Sequence, residues 1–234
     1  MSDSVRLRRA WRYPVKSMLG QSVDAIDIVA PGVVGDRRYA IRDAGGRLGS
    51  GKNTDRFRRI DGLFRFRACY DDERAVLSLP DGTEIDAEDP AIDARLSAVL
   101  GQPVTLARED DGSHVDDSPL HLLTTASLAW LERSLPDARA DERRFRPNLV
   151  LDCPGAEPVE QAWIGRTLQV GEQVVLQVTE PTTRCGMIAL EQDELPRDPR
   201  VLRHITREAD LLFGVYARVL QPGRASVGDR VTLA

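Results

Sequence analysis

The sequence predicts a mainly β protein of two β-rich, barrel-like lobes joined by one helix. Three observations carry that expectation. Short apolar runs, alternating or β-branched, recur between Pro, Gly and Asp turn signals over residues 1–88, the pattern of a small barrel or sandwich. A second such series follows residue 104. Between them lies a single segment, 89–101, whose apolar residues fall on one helical face.

In the first lobe, taken as residues 1–88, Val5 to Trp11 alternates and Tyr13-Pro14 closes it. Val23 to Val29 alternates again until Pro31-Gly32, and Asp36 to Arg42 leads into the turn Ala44-Gly45-Gly46. Phe64 to Tyr70 and Ala75 to Leu79 follow, with Pro80-Asp81-Gly82 turning the latter into Thr83-Glu84-Ile85. Asp89-Pro90 then reads as a helix N-cap and first helical position. Ile92, Leu96, Val99 and Leu100 form the inner face, and Gly101 is the residue after the helix.

The second lobe, residues 89–234 with this linking helix, opens with a strand at Val104 to Ala107 and an acidic loop, Glu109 to Ser118. Leu120 to Leu123 runs into a helix capped by Thr124 or Thr125, with Leu128, Leu131 and Leu135 on one face. Leu149 to Asp152 is a strand, and Gly165–Val170 and Val174–Val178 form a hairpin around Gly171. Asp198-Pro199 opens another capped helix with Val201, Leu202 and Ile205 inward, and strands at Leu211–Leu220 and Val227–Leu233 complete the chain.

Composition bounds the function. At 234 residues, 41% hydrophobic and 29% charged, the chain can bury a substantial core. No apolar run approaches a membrane span, and the basic N-terminal stretch has no apolar core behind it. A cytoplasmic protein without membrane or nucleic-acid partners is therefore expected, in keeping with a net charge of −5. The basic runs Arg6–Arg12 and Arg143–Arg146 read as solvated surface. Cys69, Cys153 and Cys185 stand far apart without a C-x-x-C pair, which argues against a zinc site or a disulfide framework. His114, His121 and His204 lack metal-ligand spacing and are expected to be structural or solvent-facing.

One stretch carries chemistry on its own, V-T-E-P-T-T-R-C at Val178–Cys185. Pro181 is expected to end the strand before it, placing Thr182–Cys185 in a loop. A guanidinium beside a thiol favours the thiolate, which attacks electrophiles or ligates soft metals; the alternative is a small buried hydrophobe. Only two of the 32 basic residues are lysines, Lys16 and Lys52, so a lysine in this chain hints that a compact ammonium is needed there.

Several stretches together resemble the MOSC family, named for the molybdenum cofactor sulfurase C-terminal domain. They are Y-P-V-K-S (Tyr13–Ser17), G-D-R-R-Y (Gly35–Tyr39), L-H-L-L-T-T-A-S-L (Leu120–Leu128), R-F-R-P-N (Arg144–Asn148), T-R-C (Thr183–Cys185), F-G-V-Y-A (Phe213–Ala217) and V-G-D-R-V (Val227–Val231). The resemblance implies a small N-terminal β-barrel domain before a MOSC barrel, and a molybdenum–molybdopterin cofactor. It gives Cys185 the role of metal ligand and catalytic centre. Lys16, Ser17, Arg37, Thr124, Thr125, Arg146, Asn148, Thr183, Arg184 and Tyr216 become cofactor contacts. Guanidinium forks suit the pterin's phosphate, and the Asn148 amide offers a donor and acceptors to its ring edge.

The implied activity is reduction of small N-hydroxylated or N-oxide substrates, with electrons from a separate ferredoxin- or flavoprotein-like donor. The alternative is a carrier of the cofactor, or of persulfide sulfur on Cys185. A hydrolase pairing Cys185 with His204 lacks a third orienting group. The chain departs from the family after the cysteine, where Gly186-Met187-Ile188-Ala189-Leu190 stands in place of hydroxyl residues, on the side expected to face substrate.

Overall fold

The computed structural model describes residues 5–109, 114–115 and 118–234. Residues 1–4 and most of the expected acidic loop lie outside the described residues. In chain order the first strands are β1 (Arg6–Arg12), β2 (Gln21–Val23), β3 (Ala25–Val29), β4 (Gly32–Val33), β5 (Tyr39–Asp43), β6 (Leu48–Ser50) and β7 (Phe57–Arg59). Then come β8 (Arg67–Asp71), β9 (Arg74–Ser78), β10 (Glu84–Asp86), helix α1 (Ile92–Leu100), β11 (Val104–Arg108), β12 (Leu120–Thr124) and helix α2 (Thr125–Ser134). The rest is β13 (Leu149–Asp152), β14 (Thr167–Val170), β15 (Val174–Thr183), helix α3 (Pro199–Glu208), β16 (Leu212–Gln221), β17 (Gly223–Ser226) and β18 (Val231–Leu233).

Strands dominate, as expected, but they form open sheets rather than closed barrels. One sheet of eight runs β18-β14-β15-β16-β12-β13-β1-β2, flanked by sheets of order β11-β5-β6-β7, β10-β9-β8 and β17-β3-β4. The sheets tie the two halves of the chain together. β1 pairs antiparallel with β13, β3 with β17, and β11 with β5. The single expected strand over residues 23–29 is two strands because the chain changes sheets at Asp24: β2 pairs with β1, β3 with β17.

Three apolar cores follow. The first lies under the large sheet, with Leu7, Leu120, Leu149, Leu176 and Val215. The second, with Ile41, Phe66, Leu77, Ile92 and Leu96, receives the inner face of α1. The third packs α2 and α3 through Leu131, Val201 and Ile205 onto Phe145, Ile188 and Phe213. A fully buried side chain of this kind contributes about 1.5–3 kcal/mol.

Several local expectations need correction, among them the last strand, which covers only Val231–Leu233, while the expected break at Pro222-Gly223 is followed directly by the strand Gly223–Ser226. Pro181 does not end its strand: β15 continues to Thr183, with Pro181 opposite Val215, because ladder irregularities at 178/180 and 181/183 absorb the missing amide. Helix α1 begins at Ile92 after Ala91, without a side-chain cap. Asp89 instead accepts the Ala91 amide at 2.7 Å in an Asx turn. Residues 63–65 are a 3-10 turn, so that strand starts only at Arg67. By contrast Thr124 caps α2 by accepting the Ser127 amide, and Asp198 caps α3 ahead of Pro199.

Candidate functional site

A cleft opens at one end of the eight-stranded sheet, and the topology explains what meets there. Antiparallel pairing of β12 with β16 puts His121 opposite Tyr216. The Trp11 amide donates to the Asn148 carbonyl at 2.8 Å, so the chain leaving β1 passes beside residues 145–148. The two N-terminal motifs are knitted to each other: Arg37 N donates to Tyr13 O at 2.7 Å, Lys16 N to Tyr39 O at 2.8 Å, and Tyr13 N to Asp36 Oδ1 at 2.7 Å. The end of β15 delivers Arg184 and Cys185, and Cys185 is the N-cap of a 3-10 turn, Gly186–Ala189.

Lys16, Ser17, Arg37, Arg146, Asn148, Arg184, Cys185 and Tyr216 all line this cleft. Thr124, Thr125 and Thr183 do not. Thr124 caps α2 and donates to Glu160 Oε2 at 2.6 Å, and Thr125 donates to the Cys153 carbonyl at 3.0 Å. Thr183 is exposed at the strand end. His204 packs against Trp130 with the rings tilted and their centroids 4.9 Å apart, and does not line the cleft.

Guanidinium groups define the cleft's chemistry. Arg146 lies 4.1 Å and Arg37 4.9 Å from the centroid of the Tyr13 ring, so one buried aromatic carries two cations. Burial raises the Tyr13 phenol pKa, so the ring stays neutral. Arg37 is ion-paired to the buried carboxylate of Asp36, and its Nη2 donates to the Arg146 carbonyl at 3.3 Å. Arg184 Nη2 donates to Phe145 O at 2.6 Å, and its Nη1 lies 3.4 Å from His121 Nε2. Burial, and then the charge of Arg184, hold His121 well below the usual histidine range, so the imidazole is neutral and can accept from that arginine.

Asn148 serves the scaffold as well as the cleft. Its Oδ1 accepts from His121 N at 3.2 Å and from Arg37 at 3.4 Å, and its Nδ2 donates to Trp11 O at 3.4 Å. Backbone strain gathers here too. Ser17 (φ 64°), Arg37 (φ 49°) and Arg146 (φ 56°) are three of the seven non-glycine residues with positive φ among the described residues. Left-handed backbone costs such residues about 1–2 kcal/mol each, and its clustering marks sites that the surrounding fold holds under constraint.

Sequence reading missed several lining residues. Arg144, within the basic run expected to be solvent-exposed, is 1% exposed. Its guanidinium donates to the carbonyls of Arg139, Ile188, Leu190 and Pro196 at 2.8–3.4 Å, which clamps the turn after Cys185. An arginine inside the R-F-R-P-N motif was the available signal. His121 gave no spacing cue, because it reaches the cleft through strand pairing alone. Met187 and Ile188, in the segment that departs from the family pattern, also line the cleft.

The cleft thus presents Lys16, Arg37, Arg144, Arg146 and Arg184 in its lining. Such a surface suits an anion. It holds about 80 Å³, room for a phosphate-sized group, so a larger ligand must extend from its mouth. The Cys185 thiol, half-buried in the same wall, is the one soft ligand among these lining residues that can bind as an anion; the Met187 thioether is neutral. This donor set fits a phosphorylated, metal-bearing cofactor. Among the described residues, no three His, Cys, Asp or Glu side chains converge as a metal site, so a metal on Cys185 needs further ligands from its own carrier.

Comparison with known proteins agrees with this architecture. The MOSC domain model matches residues 109–232, and the MOSC N-terminal beta barrel domain model matches residues 4–118. A molybdenum cofactor sulfurase of Oryza sativa subsp. japonica is 23% identical across 97% of this chain, which spans 34% of that protein. A molybdenum cofactor sulfurase of Drosophila grimshawi is 34% identical over 52% of the chain and 16% of its own length. The chain therefore spans about a third or less of these curated relatives. The crystal structure of the YuaD protein from Bacillus subtilis shares the fold, with a TM-score of 0.56 at 13% identity over 98% of this chain and 95% of that one. On the match of the MOSC model to more than half its length, the chain belongs to the MOSC domain family.

Proposed function

We propose that this protein binds a molybdenum–molybdopterin cofactor in the cleft and reduces N-hydroxylated or N-oxide compounds. The observation that carries the reading is the convergence of Lys16, Arg37, Arg146 and Arg184 with the Cys185 thiol in one wall. Arginine forks would hold the cofactor's phosphate by paired, charge-assisted hydrogen bonds, and Cys185 would supply one sulfur ligand. When bound, the cofactor supplies two-electron redox chemistry at a metal. The chain positions it: Arg144 fixes the turn after Cys185, and Tyr13 keeps two guanidiniums in place through its ring face.

The overall conversion takes two electrons and two protons, breaks the nitrogen–oxygen bond and releases the oxygen as water. A separate electron-donor protein of the ferredoxin or flavoprotein class supplies the electrons. A second reading is a carrier of cofactor or of persulfide sulfur on Cys185, and the sulfurase names of the curated relatives favour it. Protein made in a cofactor-synthesising host separates the readings when assayed for molybdenum and for turnover of N-hydroxylated compounds with a reduced dye. Metal with turnover supports the reductase, and metal without turnover supports the carrier. Absence of molybdenum, unchanged on adding cofactor, overturns the reductase and the cofactor carrier, and absence of a persulfide on Cys185 as well overturns the sulfur carrier.

A further inference from the structure

The most spacious cavity near the cleft lies just beyond one of its walls. It encloses about 460 Å³ between residues 59–65 of the N-terminal half and residues 187–197 of the C-terminal half, a size usual for small-molecule sites. Leu19, Ile60, Leu63, Phe64, Met187 and Leu190 form its apolar part, and three arginines and three carboxylate residues also stand on its wall. Met187 lines both this cavity and the cationic cleft.

Its thioether sits between two hydroxyls at equal range. Met187 Sδ is 3.9 Å from Ser17 Oγ, which faces the cleft, and 3.9 Å from Ser50 Oγ, which faces the cavity. It also lies against bare backbone, since a Cβ on Gly51 would stand 2.4 Å from Met187 Cγ. The side chain therefore forms a partition one residue thick, two positions after Cys185. Methionine is unbranched, with three rotatable bonds, and is the apolar residue best able to move aside.

We propose that Met187 is a movable partition and that the 460 Å³ cavity holds the apolar body of the substrate. The inference rests on the reductase reading and adds a substrate class to it: an N-oxygenated group carried on an aromatic or branched aliphatic body. The polar head reaches Cys185 in the cleft while the body passes Met187 into the cavity. Met187 thereby sets the size of substrate that is accepted, and Gly51 is small because the partition lies on it.

The test uses molybdenum-loaded protein and two probes, N-hydroxyacetamidine and the biphenyl compound N-hydroxy-4-phenylbenzamidine. The first readout is the ratio of kcat/KM for the large probe to that for the small one. Met187→Ala is expected to raise this ratio about tenfold, the scale of small steric changes in an apolar pocket. Leu190→Gln, which wets the cavity away from Cys185, is expected to lower it. The second readout is equilibrium dialysis of the large probe, with binding weakened in Leu190→Gln and maintained or tightened in Met187→Ala; circular dichroism confirms that both variants are folded. If wild-type protein reduces both probes but neither variant moves the ratio or the binding, the inference is overturned and the reductase reading stands. If loaded protein reduces neither probe, the reductase reading fails and the inference fails with it.

Discussion

The motif Leu120–Ser127 feeds two buried polar clusters, and they are built on opposite principles. At its end, Thr124 and Ser127 both donate to Glu160, at 2.6 and 2.5 Å, and Glu160 is 0% exposed. Each hydroxyl has its acceptor, and the cluster is closed. At its start, His121 faces Arg184 in a cleft lined by five cationic side chains. A fold can bury polar groups cheaply by matching them within the chain. The cleft instead turns several side chains of one charge toward a common space, a surface suited to charge-assisted contacts with an anionic ligand. The first cluster is scaffold, and the second is the proposed site.

The largest expected effect falls on the closed cluster. Glu160→Leu leaves two buried hydroxyls without acceptors and weakens the start of α2; unfolding in urea should show a loss of about 3 kcal/mol. Substitutions in the cleft should act on ligand instead. Inorganic pyrophosphate at about one hundred times its Kd should stabilise the wild-type protein by about 2.7 kcal/mol. In Lys16→Met combined with Arg146→Met, thermal denaturation should show little or none of that gain. A gain of equal size in the double variant would erase the contrast between the clusters.

A smaller effect sharpens the comparison, because the two clusters respond to pH in opposite directions. Burial raises the Glu160 pKa, against the opposing pull of the Ser127 and Thr124 hydroxyls. The folded protein therefore holds this proton more tightly than the unfolded chain does. That contribution is full below the unfolded value of about 4.3 and declines as pH rises through the folded pKa. His121 behaves inversely: its lowered pKa favours the neutral ring, so stability falls as pH drops below about 6.5. Urea midpoints measured across pH should lose their alkaline-side decline in Glu160→Gln. In His121→Leu they should lose the acid-side fall.

The smallest expected effect concerns the turn after the cysteine. Arg144→Lys keeps the charge but cannot reach four carbonyls, so the 3-10 turn Gly186–Ala189 should loosen. Faster amide hydrogen exchange at Ile188 and Leu190, with slower exchange elsewhere unchanged, is the expected result.

Much of this was legible in the chain. Alternation and turn residues gave most strands, and Asp198-Pro199 announced α3 because capping chemistry is local. Pro181 misled because its effect depends on ladder irregularities that only the β16 partner creates. The motif residues Lys16, Arg37, Arg146 and Cys185 do meet, and their resemblance to a family pattern anticipated that. Thr124 and Thr125 belong to the same motif yet turn away, since the strand hands one of them to a helix cap and Glu160. Arg144 was hidden for the opposite reason. A run of arginines looks solvated from sequence, and only the packing of Ile188, Leu190 and Pro196 around one guanidinium shows that it is buried. The expected barrel-like lobes are built of open sheets, because β1 and β3 leave the N-terminal half to pair with β13 and β17.

Whether the cationic cleft and Cys185 together hold a molybdenum–pterin cofactor is decided by native mass spectrometry with metal analysis, on wild-type and Cys185→Ser protein from a cofactor-producing host. One pterin and one molybdenum are expected on the wild-type chain, with molybdenum–thiolate ligation lost in the folded variant. Wild-type protein that carries neither, and takes up neither when cofactor is supplied, would contradict the proposal.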